Sequence, residues 1–423
     1  MKASFDCVMR YDVEATCITP LRTADASGDA DYVLRDADGT PILQGSSLAG
    51  AMRSWLAAFS EAEAASLFGN KQTEGHLSVS DGRFDNDSAQ LMRPRVRIDR
   101  VSGSVDGDQK FDTAHIAAGS RFSFTLIWRG MAAEKGEAKT VERILNAMNA
   151  GEIRLGAQKT NGFGHAALSV KKLELSMYNA EERGKWLDQA QAEKELVLSG
   201  DAVGGGIQFR VFGKTDSILV KASTPETRES DGKNNFYTPN LTESGTAILP
   251  GSSVKGAIRS RCEMIAKYAK LNKVFTDALF GREAEMNDNG LAGHVVFEDV
   301  RLSNIKRQLA RIRINRFTGG VMRSGPFTEE PICSDLEIPI TAPDDAAGCA
   351  LLLFALRDLG FGLYTLGSGS AIGRGRIQIE RIEIQKPGKK TAEMTFGGDG
   401  PELTDADGVC AEWLRAWEER IGK

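Results

Sequence analysis

The chain has 423 residues, 41% of them hydrophobic and 26% charged, enough to bury two or three cores rather than one. Its net charge of −5 excludes a diffuse polybasic nucleic-acid binder and leaves room for a local basic groove. The six cysteines form no CxxC pair and no Cys/His cluster, which argues against a disulfide framework or a zinc site and for reduced, cytoplasmic thiols. The N-terminus lacks the apolar core of a signal peptide, and no stretch approaches the roughly eighteen apolar residues of a membrane span, so no membrane partner is expected.

Near the start, Phe5, Cys7, Met9, Tyr11 and Val13 alternate with mostly polar residues, as in a half-buried strand. An acidic loop, TADASGDADYVLRDADGT, follows. PILQGSSLAGAMRS, at 41–54, predicts a strand, a Gly-Ser-Ser turn and a helix with Leu48, Ala51, Met52, Trp55, Leu56 and Phe59 on its apolar face. Strands are expected at HLSVSD and at RVRIDRVSG, where alternation points Arg95 and Arg97 to one side with Asp99. A second helix at KTVERILNAMNAG leads into a glycine-rich loop and a last strand, and residues 179–195 read as a helical connector.

The series then recurs, in order. AILPGSSVKGAIRS, 206 residues after its counterpart, shares nine of fourteen positions with it, and its helix puts Val254, Ala257, Ile258, Cys262 and Ile265 on one face. LFGREAEMNDNGLAGHVVFED answers LFGNKQTEGHLSVSD, and RIRINRFTG answers RVRIDRVSG with five of nine positions identical. LYTLGSGSAIGRGRIQIERIEI answers IRLGAQKTNGFGHAALSVKKLEL, GGIQFRVFG answers the first strand, and AAGCALLLFALRDLG supplies the second helix again. Strand, helix, strand, strand, helix, strand, written twice, describes two tandem ferredoxin-like (RRM-like) α+β domains. They span 1–176 and 204–387, with a connector at 177–203 and a tail at 388–423 whose amphipathic helix bears Trp413, Leu414 and Trp417.

A helix N-terminus offers free amide hydrogens and a partial positive charge, which suits a phosphate. Gly45 and Gly251 allow a tight turn there, and Ser46, Ser47, Ser252 and Ser253 can cap the helix or donate hydroxyls to an anion. A well-capped helix with no ligand is the plainer alternative. Neither turn has P-loop spacing. Arg53 and Arg259 lie off the apolar face, joined in the second copy by Lys255 where the first has Ala49; they are phosphate clamps or solvated helix charges. The glycine-rich loops carry Lys159 in one copy and Arg374 and Arg376 in the other. Arg95 with Arg97, and Arg311 with Arg313, form rows of cations that suit a sugar-phosphate backbone. His76, His115, His165 and His294 are too scattered for an acid–base pair.

The paired GSSLAGAMR and GSSVKGAIR helices, the RIDRVSG and RINRFTG segments and the glycine-rich loops resemble the RAMP proteins of CRISPR systems, above all the backbone subunits of type III effector complexes, in a fused form with two RAMP domains. The resemblance covers nearly the whole chain except the connector and the tail. It implies that each domain grips CRISPR RNA and presents it to complementary target RNA, together with other CRISPR effector subunits. It also implies inserted thumb hairpins at about 105–116 and 321–332, where Val105 and Met322 would wedge between bases. Cutting members of the family use an aspartate in the loop before the Gly-Ser-Ser helix, with Mg²⁺ or another divalent cation. Counting back from Asp36 by the family pattern lands on Ala30, so the resemblance implies Asp31, then Asp29, then Asp25 as the endoribonuclease carboxylate, with Asp31 and Asp29 on the metal. In the second copy Asn235 stands opposite Asp29 and Tyr237 opposite Asp31. Only Asp231, opposite Asp25, keeps a carboxylate, so this copy is expected to bind and to cut poorly. A non-cleaving structural RAMP subunit and a stand-alone CRISPR RNA-processing endoribonuclease are the alternatives.

Overall fold

The structure, a computed structural model, describes residues 5–23, 32–99, 105–199, 206–222, 226–230, 233–284, 289–303, 305–398 and 400–422. It divides into two compact units. One comprises Met1–Met92, Thr113–Lys159 and Phe163–Gly204, the other Arg93–Asp112, Thr160–Gly162 and Gly205–Lys423. The second unit thus takes in two short segments of the first sequence copy.

The first unit runs β1 (Cys7–Cys17), α1 (Gly45–Ala57), β2 (Gly82–Phe84), β3 (Arg121–Gly130), α2 (Gly136–Asn149) and β4 (Ala166–Ser176). β1 lies between β3 and β4, antiparallel to both, and β2 flanks β3, which gives the ferredoxin-like order β2-β3-β1-β4. Alternation along β1 turns Cys7, Met9, Tyr11, Val13, Ala15 and Cys17 inward. Leu48, Met52 and Leu56 of α1 and Val141, Ile144, Leu145 and Met148 of α2 join them in one core. Phe59 was expected on the buried face of α1. The helix ends at Ala57, two residues earlier, and Phe59 is 56% exposed.

The connector is not a free linker. Asn179 caps the helix Ala180–Leu187 through Glu181 N and Glu182 N, and the strand Lys194–Leu196 pairs with β4. Between them Asp12, on the polar face of β1, accepts from Ala192 N at 2.8 Å while Arg10 and Thr125 Oγ1 hold it at 2.9 and 3.0 Å.

The second unit repeats the plan with β5 (Ile207–Ile218), α3 (Gly251–Tyr268), β6 (Val296–Phe297), β7 (Ile332–Ala342), α4 (Ala346–Gly360) and β8 (Gln378–Gln385), in the order β6-β7-β5-β8. Residues beyond β8 complete this unit. Ala392–Gly397 and Gly400–Thr404 widen its sheet, and the helix Val409–Ile421 returns Trp413 onto Phe209, with ring centroids 5.7 Å apart, and Trp417 onto Phe275 and Phe354. That second cover explains why α4 is apolar nearly all round. Ahead of α3, the stretch that stands opposite the first copy's acidic loop pairs as two antiparallel strands, Glu226–Ser230 with Lys233–Thr238. It is drawn into extended pairing by a parallel neighbour, Phe236↔Phe327 to Thr238↔Glu329.

An RRM stacks bases on its open sheet face. On that face the first unit holds its connector through Asp12, and the second carries a Phe212 ring with Arg381 Cζ at 3.9 Å and Arg210 Cζ at 5.1 Å, their charges answered by Glu383 and Glu337. No helix of the described residues is long and apolar enough to cross a membrane.

Glu137 ties α2 to the sheet of the first unit. Its side chain is 18% exposed, accepts from Trp128 Nε1 at 2.8 Å and meets His76 Nδ1 at 2.6 Å. Burial alone pushes its carboxyl pKa up; hydrogen bonds from Ser66, Trp128 and His76 outweigh that and hold it below the usual glutamate value. The stabilisation is therefore complete above the unfolded-chain pKa and is lost as pH falls through the lower folded one. Glu137→Gln is expected to cost about 1–3 kcal/mol at neutral pH. It should also flatten the loss of stability on acidification, read by urea unfolding between about pH 7 and pH 3.

Candidate nucleic-acid interface

Both Gly-Ser-Ser turns open helices, but not as tight glycine turns capped by serine. Neither Gly45 nor Gly251 has a positive φ. Each touches the end of a strand: a Cβ would sit 2.6 Å from Val79 O at Gly45 and 2.0 Å from Phe297 O at Gly251. Only glycine fits so close. Gln44 and Pro250 hold the N-cap positions without side-chain caps. The cap comes from further along the chain, where Asp81 Oδ1 accepts from Gly45 N at 2.6 Å and Asp299 Oδ1 accepts from Gly251 N at 2.8 Å. These aspartates close the HLSVSD and HVVFED strands, and only their matching positions in the repeat hinted at the role. Ser46 and Ser47 stand exposed in the first turn, and Ser252 and Ser253 are half-exposed.

One turn on, Gly50 and Gly256 lie in helix interiors, where glycine costs about 0.5–1 kcal/mol relative to alanine, yet among the described residues nothing beyond the helix's own backbone and the adjoining residues comes within 4 Å of the place a Cβ would take. Around the first of them is a cleft of about 260 Å³, lined by Gly45, Ser46, Ala49, Gly50, Arg53, Phe68, Leu77 and Val79. It continues past Arg53 into an open groove at Asn70 and Lys71. Arg53 is steadied by Glu61 at 2.5 Å.

In the second unit Lys255 takes the place of Ala49. Its Nζ donates to Thr160 Oγ1 at 2.8 Å. Burial first, then the charges of Arg259 and Arg95, push its pKa down to about 8. Three cations therefore converge beside this helix turn. Arg259 also pairs with Glu263 at 2.8 Å and Asp277 at 3.2 Å, and Arg97 with Glu283 at 3.1 Å. Arg93, which the cation count in RVRIDR passed over, is buried against Glu243 and lies 2.7 Å from Asp299 Oδ2, so it holds the carboxylate that caps α3.

The RINRF segment lies on a hairpin, Leu309–Ile314 with Val321–Glu329. Arg311 lies 3.4 Å from Glu329, and Arg313 Cζ stands 5.4 Å from the Phe327 ring centroid. Met322 is exposed, as are Ile312 and Ile314. Of the large hydrophobic side chains among the described residues the most exposed is Phe317, 100% exposed at the turn and not expected from the sequence. Asn315 Oδ1 fixes that turn by accepting from Phe317 N at 2.8 Å and Thr318 N at 3.2 Å. Its one signal in the sequence was an aromatic residue in a turn among arginines. Val105 opens the strand Val105–Ile116, and its side chain lies outside what is described. Lys159 and Arg376 are exposed; Arg374 is buried, 2.9 Å from Glu329.

Asp25, Asp29, Asp31 and Asp231 lie outside the described residues. Of the nearest described carboxylates, Asp36 and Asp38 are held by Arg83 at 2.8 and 2.6 Å. Among the described residues no group of three or more His, Cys, Asp or Glu could hold a metal ion. The histidines do not converge: His76 sits on Glu137, His115 against the Phe163 ring, and His165 Nε2 at 3.3 Å from Asn149 O.

A model of the RAMP superfamily matches residues 14–167 and 199–378. The chain belongs to the RAMP superfamily. Each matched stretch holds one Gly-Ser-Ser helix with its aspartate cap and one glycine-rich loop, so the chain carries two RAMP-like regions with the CRISPR-associated role general to that superfamily. No curated protein matches the chain.

The cap is testable in the RAMP fold itself. Asp81→Ala is expected to cost about 1 kcal/mol. Gly251→Ala should cost more than Gly256→Ala, which meets nothing and is expected to be neutral or stabilising. Thermal unfolding of the three variants ranks them.

Proposed function

We propose that this RAMP protein is a CRISPR RNA-binding backbone subunit of a type III interference complex. Its domains at 1–176 and 204–387 would each hold part of one guide strand, and a loop aspartate of the first would cleave complementary target RNA. What carries the proposal is the twofold occurrence of one surface: an exposed helix turn opened by a strand-docked glycine, a helix-interior glycine facing open space, and cations beside it. Amide hydrogens, Ser46, Ser47, Ser252 and Ser253, with Arg53, Lys255, Arg95, Arg97, Arg311, Arg313 and Lys159, bind phosphates without reading bases, so sequence preference is weak and the guide's own pairing selects the target. Phe317 and Met322 offer exposed apolar surface to bases. Asp31 and Asp29 would carry a divalent cation, which supplies positive charge at the scissile phosphate. Tyr237, opposite Asp31, is buried in the second unit and brings no carboxylate, which supports a second domain that binds without cutting.

The non-cleaving subunit is the rival that the paired state of Asp36 and Asp38 favours, since these described carboxylates are already committed to Arg83. Cleavage of guide-complementary RNA by the assembled complex in Mg²⁺ decides. Asp31→Asn combined with Asp29→Asn should abolish the cut and leave binding intact. Unchanged cleavage in the double variant removes the assignment, and cleavage of repeat RNA by the isolated protein would favour the processing enzyme.

Lys255 gives a second readout. A phosphate is gripped by the ammonium, not the free amine, so with a pKa of about 8 RNA affinity should fall as pH rises through that value. Lys255→Ala should bind more weakly at pH 7 and lose that dependence, as followed by fluorescence anisotropy at constant ionic strength.

A further inference from the structure

The second unit's hairpin, Leu309–Ile314 with Val321–Glu329, joins the body of the domain at Glu329 and Glu330, both 5% exposed. Glu329 lies 2.9 Å from Arg374 Nη1, 3.4 Å from Arg311 Nε and 3.9 Å from Lys221 Nζ. Glu330 meets Gln308 at 3.1 Å and Lys306 at 3.8 Å. Arg374 is 3% exposed and stands in the glycine-rich loop between Gly373 and Gly375, both at positive φ. A guanidinium so enclosed offers no exposed face to a polyanion, although its Nη2 and Glu329 Oε2 have no hydrogen-bond partner among the described residues, and removing either member of a buried pair strands the other's charge.

The first sequence copy carries neither charge: at the matching positions Thr113 stands for Glu329 and Phe163 for Arg374, and Phe163 packs its ring 5.5 Å from that of His115. A carboxylate and an arginine appear together in one copy and are absent together from the other, as a coupled pair requires.

The geometry points to Arg374 as a positioning residue that locks the hairpin bearing Phe317 to the glycine-rich loop through Glu329, not as a contact to phosphate. Its consequence for RNA rests on the function proposed above; the lock itself does not. Without it the hairpin keeps its fold but no longer stands at one angle to the domain, so its exposed apolar side chains meet RNA less often in the right place.

Amide hydrogen exchange on the full-length protein without RNA tests the lock, and anisotropy with a single-stranded RNA oligonucleotide tests its consequence. Arg374→Phe and Glu329→Thr should each speed exchange across 309–329 by about tenfold or more and weaken RNA binding. The double variant R374F/E329T, which installs the residues of the first copy at both positions and strands no charge, should restore slow exchange and affinity together. Arg374→Lys keeps the charge without the planar fork and should fall in between; it serves if a single swap fails to fold. Unaltered hairpin exchange in the single variants, or in Arg374→Lys where those do not fold, overturns the lock. So does a double variant whose exchange recovers while its affinity does not, because that pattern marks Arg374 as a direct phosphate ligand. If the unmodified protein binds no RNA, the exchange measurements still decide the lock and only the functional reading falls.

Discussion

Contact between the first residue of a helix and the end of a strand governs each half of this molecule. Gly45 touches the backbone at Val79 and Gly251 that at Phe297, each so near that a single methyl group would collide. The same strand end delivers Asp81 or Asp299 to the helix's first amide. Clearance and cap together set where α1 and α3 begin. From that starting point Leu48 and Met52, or Val254 and Ile258, fall into the core, while the serines, Gly50 or Gly256, and Arg53 or Lys255 fall on the outside. Because the carboxylate uses the first amide and lies at the positive end of the dipole, a bound anion gains less from the helix terminus than from the hydroxyls and cations of the next turn.

Once the helix is anchored, the two units spend their freedom differently. Ala49 leaves a cleft beside α1, whereas Lys255 spans to Thr160, where burial first and then the charges of Arg259 and Arg95 weaken its ammonium. Phe163 packs on His115 in one glycine-rich loop, whereas Arg374 at the matching place of the other pairs with Glu329. Such divergence is what two copies tolerate when the backbone contact that orients the helix is kept and the residues around it are free to vary.

The sheet faces show the complementary point. A ferredoxin-like sheet covered on one side by helices leaves its other side open, and RRM domains use that side for bases. Here Asp12 holds the connector on that side in the first unit, whereas in the second Arg210 and Arg381 stand against the Phe212 ring among exposed Gln208 and Lys214.

Periodicity and repetition carried much of this in the sequence. Alternation in β1 and β5, the apolar stripes of α1 and α3, and the recurrence of the same segments in the second copy determined two ferredoxin-like units, because burial of one face is a local demand that leaves a local pattern. Partnership across distance left no such mark. Asp81 and Asp299 as caps, Arg93 as the holder of Asp299, the buried state of Arg374 and the strand pairing of Lys233–Thr238 depend on residues brought close only by folding. Likewise the residues after 387, which composition marks as a tail, enter the core because Trp413 and Trp417 find Phe209 and Phe275 on the far side of the chain. Sequence determined which faces must be buried; tertiary structure decided which charges meet, since an ion pair or a cap is a property of two positions and is written at neither one alone.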